Sequence, residues 1–219
     1  MGHDKIKHFD DKVVCEKVRL KVSKTELHLI QLHMQRYREA YIQYCIEQLG
    51  RVCNGVPMVY PNDWYRNAMN DNSSISIIST RCLRRILEYG FDLLVRNQVK
   101  IKDSYRNLNT NQSYKVLKML KRRYYEYDPG RNEIIIPKQP GMEKNFFCHH
   151  EVHIPRIGKI KIVKKDARCI PEDIKFKMIR IQYVNSELYA IITYADNSNQ
   201  QFDDNGFMKL IRKVFKEDV

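Results

Sequence analysis

The chain has 219 residues, of which 43% are hydrophobic and 11% aromatic, so it has enough apolar material for a packed core and is not expected to be disordered. Its formal net charge is +13 and its pI is about 9.4, which favours an anionic partner, with nucleic acid ahead of a membrane surface. The alternative is a protein that is basic without a nucleic-acid partner. No run of about 18 apolar residues occurs, so we expect no membrane span and no membrane partner.

The beginning of the chain and its cysteines bear on location. Residues 1–12 are polar and charged, so we expect a frayed leader there rather than a signal peptide. The six cysteines form no C-x-x-C pair, which favours free thiols in a reducing compartment. These features predict a cytoplasmic protein.

A strand is predicted directly after the leader. Residues 13–22 alternate between apolar side chains on one side and mostly basic ones on the other, the pattern of a half-buried strand. The basic side carries Lys17, Arg19 and Lys21. These cations could face a phosphate backbone, or they could protect an edge strand from aggregation.

A long helix is predicted next. The segment Ser23-Lys24-Thr25-Glu26 has the form of a capping box, and Gly50 is the expected stop, which places the helix end near Leu49. Arg36 lies off the apolar stripe and is a candidate phosphate contact. The stripe itself is typical of a helix–helix seam and consists of Leu27, Ile30, Met34, Tyr37, Tyr41 and Tyr44.

Two further helices are predicted before the main group of strands. The first runs from Ser79 or Thr80 to about Asn97, and the lone tryptophan that precedes it, Trp64, is interpreted as a packing anchor. Three arginines lie off its apolar face, where they either contact phosphate or are simply solvated: Arg81, Arg84 and Arg85.

The second of these helices spans 113–125. It ends in a cluster of cations followed by two tyrosines, typical of nucleic-acid binding but also of a helix C-terminus that favours positive charge. The cations are Lys121, Arg122 and Arg123.

From residue 134 to 194 the sequence predicts consecutive antiparallel strands. Ile134–Ile136 begins the series, and a hairpin is expected over 176–194 around Val184–Glu187. Basic residues stand between and beside the apolar positions, and four of them are candidate phosphate contacts: Lys159, Lys161, Lys164 and Lys165.

The sequence contains no C-x-x-C or H-E-x-x-H metal-binding spacing and no G-x-S-x-G, Walker A or G-x-G-x-x-G motif. Cys148-His149-His150, with His153 close by, lacks the spacing of a zinc site, so we expect neither a metal nor another cofactor. The paired carboxylates fall in predicted loops or at the chain end, which is not the rigid setting that a two-metal nuclease needs.

Several runs resemble the TnpB family, the RNA-guided nucleases of IS200/IS605-type transposons that are related to compact Cas12 effectors. These runs are I-P-R-I-G-K-I-K-I at 154–162, C-I-P-E-D-I-K at 169–175 and L-Y-A-I-I-T-Y at 188–194. The segment 17–44 is similar to the family's opening, in which a strand rich in Arg and Leu precedes a helix. The resemblance rests on the order of these motifs.

The resemblance implies an α+β fold with a small antiparallel, wedge-like β-barrel and an inserted helical recognition lobe. The barrel would comprise 13–23 and 130–195, and the lobe 24–129. Residues 196–219 would form a linker and a C-terminal amphipathic helix, which either docks a partner or packs on its own barrel. The family's RuvC-like domain opens with G-h-D-x-G, whereas QQFDDNGFMKL stands here, so we expect no catalytic residues and no enzyme activity.

The implied function is binding of structured guide RNA without cleavage, by a truncated remnant or a retained nuclease-less binder. Double-stranded target DNA and a separate nuclease chain are further candidate partners. The alternative is a basic protein-interaction module, or a subunit of a split nuclease whose catalytic half is another chain. The candidate nucleic-acid-binding residues are Lys17, Arg19, Lys21, Arg36, Arg81, Arg84, Arg85, Lys121, Arg122, Arg123, Lys159, Lys161, Lys164 and Lys165.

The first prediction concerns catalysis. The purified chain, incubated with its co-purified RNA, Mg²⁺ and a randomised plasmid library, should leave the plasmids intact, because no aspartate stands in the strand setting of a RuvC site. Reproducible breaks at a defined sequence position would contradict this expectation.

Overall fold

The computed structural model describes residues 13–71, 73–96, 132–138, 147–148, 150–167 and 175–195. Three predicted features lie outside these residues: the leader, the helix over 113–125 with its cluster Lys121, Arg122 and Arg123, and the C-terminal helix.

The described part of the chain is α+β, as predicted, and its sheet is antiparallel and curled into a half-barrel. Six strands have four or more residues, and a two-residue strand adds to one edge. The strands are β1 (Val13–Lys21), β2 (Glu133–Pro137), β3 (Phe147–Cys148), β4 (Glu151–Ile154), β5 (Gly158–Ile162), β6 (Lys175–Val184) and β7 (Glu187–Ala195). Their order across the sheet is β2-β6-β7-β1-β5-β4-β3.

The N-terminal strand lies in the middle of this sheet. β1 pairs with β7 from Val13 to Arg19, and it pairs with β5 at Leu20 and Lys21. It therefore joins the group β2-β6-β7 to the group β5-β4-β3. β1 is therefore an internal strand at Leu20 and Lys21, where β5 joins it, whereas over Val13–Val18 its described pairing is with β7 alone.

The hairpin of β6 and β7 forms where the sequence predicts it. Its two-residue turn is Asn185-Ser186, and both residues have positive φ, 50° and 65°. Such a turn matches the right-handed twist of the flanking strands, and asparagine tolerates the left-handed conformation better than most residues. A register shift interrupts the β6–β7 pairing between Phe176 and Met178.

Within the described parts of the chain, the helices lie between β1 and β2, apart from one short turn after β5. They are α1 (Lys24–Cys53), α2 (Pro61–Asp71), a 3-10 turn (Ser73–Ile77), α3 (Thr80–Arg96) and, after β5, α4 (Lys164–Ala167). No helix of the described residues has a stretch long and apolar enough to cross a membrane.

The predicted start of α1 is confirmed, and its predicted end is wrong. The Ser23 hydroxyl accepts from the Glu26 N–H at 3.2 Å, and the Glu26 carboxylate accepts from the Ser23 N–H at 2.7 Å, which completes the capping box. The helix passes through Gly50 and ends at Cys53, with Asn54 as its C-cap. The glycine with left-handed backbone is Gly55, at φ 70°, so the stop signal lies five residues further along.

Two apolar layers are buried. The concave face of the sheet is lined by aliphatic side chains from β1, β2, β4, β5, β6 and β7: Val18, Leu20, Ile134, Ile136, Val152, Ile154, Ile160, Ile162, Ile179, Ile181, Ala190 and Ile192. On the opposite face, α1 and α3 pack on each other and α3 packs on β2. Five of the six residues in the predicted α1 stripe are buried, and Leu27 is half-buried.

Trp64 is buried, which confirms its interpretation as a packing anchor. Its Nε1–H donates to Glu47 Oε2 at 2.5 Å, and its ring meets that of Tyr44 edge-on at 5.4 Å between centroids. The Tyr44 hydroxyl donates to the Val59 carbonyl at 2.9 Å. The connection between α1 and α2 is thereby fixed to α1, which orients α2.

A close approach between α1 and α3 depends on Gly90. A Cβ at this position would lie 2.6 Å from Cys45 Sγ and 3.0 Å from Tyr41 Cε2, both buried side chains of α1. Gly90→Ala should therefore lower the free energy of unfolding by about 1–3 kcal/mol, measured by chemical denaturation. Adding Cys45→Ala should restore part of the loss, because it removes the sulfur that the new methyl group meets.

Gly50 is the matched control, since it also lies within a helix but has nothing within 4 Å of the position of a Cβ. Gly50→Ala should raise the free energy of unfolding by about 0.5–1 kcal/mol, because alanine has the better helix propensity. Equal effects of the two substitutions would show that the approach of α1 to α3 does not constrain residue 90.

A buried histidine makes stability depend on pH. His33 is 3% exposed, its Nδ1 has no hydrogen-bond partner, and burial lowers the pKa of its imidazole below the ordinary 6.5. As the pH falls through about 6.5, His33 becomes protonated in the unfolded chain before it does in the folded chain. Protonation therefore favours the unfolded chain, so the free energy of unfolding is highest above pH 6.5 and decreases as the pH falls. Denaturation at about pH 7.5 and about pH 5.5 should show this loss.

His33→Leu should reduce the difference between the two pH values, whereas the exposed His28→Gln should leave it unchanged. An identical pH dependence in the wild-type protein and His33→Leu would contradict the assignment.

Candidate nucleic-acid interface

The strand registers define which side chains share the convex face of the sheet. Residues directly opposite each other on neighbouring strands point to the same side, and alternate residues along one strand do so as well. Lys17 stands opposite Ile191, which stands opposite Arg180, which stands opposite Ile135. The same rule places Arg19, Lys21, Lys159 and Lys161 on this face, opposite the concave core.

Three of these lysines lie close together where β1 pairs with β5. Lys21 and Lys161 are direct cross-strand partners, and both are exposed. Lys159 lies two residues along β5, with its Nζ 3.8 Å from Glu151 Oε2 on β4. His153, opposite Lys159, is half-buried. This end of the convex face therefore carries more positive than negative charge.

α4 brings two more predicted cations to the end of β1. Lys164 and Lys165 are exposed, and the turn that carries them is fixed to β1 through Asp166, whose Oδ2 accepts the backbone N–H of Arg19 at 2.8 Å. The Val163 N–H donates to the Arg19 carbonyl at 2.9 Å. We call Lys21, Lys159, Lys161, Lys164 and Lys165 the strand-end lysines.

Arg19 is held by carboxylates of its own chain. Its Nε lies 3.4 Å from Asp166 Oδ2 and its Nη1 lies 3.7 Å from Glu187 Oε1. The hydrogen bond to Asp166 and the charges of Asp166 and Glu187 raise the pKa of this guanidinium above its ordinary value. Arg19 thus stabilises the junction of β1, β7 and α4, and a phosphate would compete with two carboxylates for it.

Lys17 is placed over an aromatic ring. Its Nζ lies 4.0 Å from the ring centroid of Tyr189, and the Tyr189 hydroxyl donates to the Glu187 carboxylate. That hydrogen bond and the nearby charge raise the pKa of the phenol. Lysine beside a half-buried tyrosine combines a cation with a surface on which a base can stack.

A second group of cations lies at the opposite edge of the sheet, in a cleft of about 470 Å³ between α3 and the ends of β2 and β6. We call it the α3 cleft, and its lining residues are Arg81, Arg84, Arg85, Glu88, Pro137, Lys138, Lys177 and Met178. Five cations and one carboxylate give it a formal excess of four positive charges.

The α3 cleft lies on the same face of the sheet as the strand-end lysines. The Tyr89 hydroxyl of α3 contacts Met178 Sδ at 3.6 Å, and Met178 stands opposite Thr193, which stands opposite Cys15 of β1. Helix α3 therefore covers the β2–β6 end of the convex face, whereas the β1–β5 end carries the exposed lysines. The rows between the two ends contain Arg180, Ile191 and Thr193, all half-buried.

Lys138 was not predicted as part of a basic site, and Lys177 was predicted as one of the cations of the sheet but not as a neighbour of α3. Lys138 follows the last residue of β2, and Lys177 lies at the β6 irregularity; the Lys138 N–H donates to the Lys177 carbonyl at 3.0 Å. The long separation in sequence hid this contact. The triple-isoleucine run at 134–136 and the lysine-rich start of β6 were the available signals.

Arg36 joins neither group. It lies on α1, half-buried, with its Nη1 2.8 Å from Glu39 Oε2 one helical turn away. The predicted cations that the structure describes thus divide between the β1–β5 end of the convex face, the α3 cleft and this isolated pair. Lys121, Arg122 and Arg123 lie outside the described residues.

The described residues contain no group of three or more His, Cys, Asp or Glu side chains placed to hold a metal ion. Of the predicted Cys/His cluster, His150 is exposed and His153 half-buried, and His149 lies outside the described residues.

No protein-family profile matches the chain, and no curated protein matches it significantly.

Proposed function

We propose that this chain binds structured RNA without cleaving nucleic acid, as the N-terminal portion of a TnpB-like protein. The order of elements supports the resemblance: a single strand, then α1 to α3, then the strands that complete the sheet. In this proposal the half-barrel corresponds to the wedge and the helices to the recognition lobe. Double-stranded DNA is a second candidate ligand, and the protein would act in the cytoplasm.

One observation carries the proposal, the direct pairing of Lys21 with Lys161. Like charges opposite each other on neighbouring strands destabilise a sheet. Lys164 and Lys165 on the adjoining α4 are further cations. Among the described residues, the one carboxylate in an ion pair with a strand-end lysine is Glu151, whose partner is Lys159 and which also stands directly opposite Lys161. A polyanion would relieve this repulsion, which gives the cluster a role in binding that it does not have in folding.

The spacing of the strand-end lysines suits a phosphate backbone. Neighbouring strands lie about 4.8 Å apart and alternate residues of a strand about 7 Å apart, so Lys21, Lys161 and Lys159 stand at separations comparable to those of successive phosphates. Such contacts track a backbone and do not read sequence. The sheet would therefore recognise the shape of a folded RNA.

The experiment replaces Lys21 and Lys161 by glutamine, singly and together, and measures binding of the RNA that co-purifies with the protein. With about 6–10 phosphate contacts, log K against log salt should slope by about −5 to −9 in the wild-type protein. The double variant should flatten the slope by about 2 units. Its free energy of unfolding should be unchanged or raised by up to about 1 kcal/mol, because a repulsive pair is removed.

Arg66→Gln on α2 is the control for net charge, since this side chain is 80% exposed and belongs to neither basic group. It should change the slope by much less than either lysine substitution. Heparin is the control ligand, because a protein that is merely basic binds heparin and RNA alike. Equal affinity for the two, with no effect of Lys21→Gln and Lys161→Gln, would overturn the proposal in favour of a basic protein-interaction module.

A further inference from the structure

The α3 cleft is a built feature rather than a run of solvated arginines. Arg84 Nε lies 3.2 Å from Glu88 Oε1, and Arg85 Nη1 lies 3.1 Å from Glu88 Oε2, so one carboxylate joins both guanidinium groups. Arg85 also lies over the ring of Tyr89, 4.7 Å from its centroid. Tyr89 is buried against the sheet, so the arginine is held by a fixed support.

From this arrangement we infer that the α3 cleft is a second binding site for the phosphodiester backbone of a nucleic acid, in which a phosphate replaces Glu88 between Arg84 and Arg85. A carboxylate and a phosphate offer guanidinium groups the same kind of acceptor oxygens. Glu88 contacts one nitrogen of each arginine, and a guanidinium carries five N–H donors, so both retain donors for an incoming anion.

The charge of the cleft favours the exchange. Burial opposes the charge of Arg85, but Tyr89 and Glu88 outweigh this effect and raise the pKa of the guanidinium above its ordinary value, so it stays protonated. Glu88 is the one carboxylate among the residues that line the cleft, against five cations. A phosphate that entered would meet Lys138 and Lys177 from the sheet and the arginines from α3, which is contact from two sides.

The two basic sites would hold different phosphates of one ligand. Three strand spacings separate β2 from β1, about 14 Å, and the row of Met178 lies six residues of β1 from the row of Lys21, about 20 Å along the strand. The two separations combine to about 25 Å, which no single phosphate spans. A nucleic-acid helix does span it, because it carries one phosphate charge per about 1.7 Å of its axis. This inference rests on the proposed function, since the ligand is the same RNA.

The test uses the full chain and an RNA hairpin whose stem is about one helical turn or longer. Arg84→Gln with Arg85→Gln should flatten the salt slope by about 1.8 units, so that the loss of affinity between 50 and 200 mM salt becomes about 12-fold smaller. Glu88→Gln should raise the affinity, because it removes the competing carboxylate. Both arginines are exposed, so circular dichroism and thermal melting should show that the double variant is folded. If it does not fold, Arg84→Gln alone serves as the test, and it should flatten the salt slope by about 1 unit.

Glu39→Gln is the matched control for Glu88→Gln. Glu39 pairs with Arg36 on α1 at the same type of helical spacing, and its substitution removes the same charge. It should affect RNA affinity much less. An unchanged slope in the arginine variant, or weaker RNA binding by Glu88→Gln, would overturn the cleft site. If the double variant Lys21→Gln with Lys161→Gln still weakened binding in the same experiment, the proposed function would stand without the cleft. If the wild-type protein prefers heparin to the hairpin, the proposed function itself fails.

Discussion

The whole structure depends on β1, which pairs with β7 along most of its length and with β5 at its last two residues. Seven residue pairs join it to β7, and Leu20 and Lys21 join it to β5. Without this strand the two halves of the sheet would have no common member, and Val18 and Leu20 would leave the concave core. The chain departs after β1 to form α1–α3 and returns only at β2, so the pairing joins residues nearly 180 apart in sequence, such as Cys15 and Thr193. Such long-range contacts form slowly, because loop closure precedes their stabilising contribution.

The convex face acquires its character from the same central strand. Where α3 covers it, Ile135 and Met178 pack beneath the helix, and where it is open, lysines occupy the alternate positions. One face of one sheet is thus covered by a helix at one edge and open, with exposed lysines, at the other. This division follows from the helices covering only the β2–β6 end, and it leaves the lysines of β1 and β5 in solvent.

Carboxylates decide which cations are available to a ligand. Asp166 and Glu187 hold Arg19 at the junction of β1, β7 and α4, and Glu88 holds two arginines of α3. Lys21 and Lys161, in contrast, are direct partners on the neighbouring strands β1 and β5. A net charge of +13 therefore does not describe the surface, because some cations stabilise the fold and others repel one another.

The sequence by itself determined the local elements. Alternation marked β1, the capping box marked the start of α1, and Asn185-Ser186 marked the hairpin, because each signal acts over a few residues. The prediction that α1 stops at Gly50 was wrong. An exposed glycine destabilises a helix by about 1 kcal/mol, and the burial of the neighbouring Leu49 and Val52 stabilises the continued helix by more than that.

Only the tertiary structure decided which cations meet. Lys138 and Lys177 are 39 residues apart and reach the arginines of α3 because β2 pairs with β6, which no local pattern encodes. The same holds for the placement of β1 in the sheet: alternation specifies two faces of a strand but not its neighbours, since strand pairing is set by which apolar faces pack into one core.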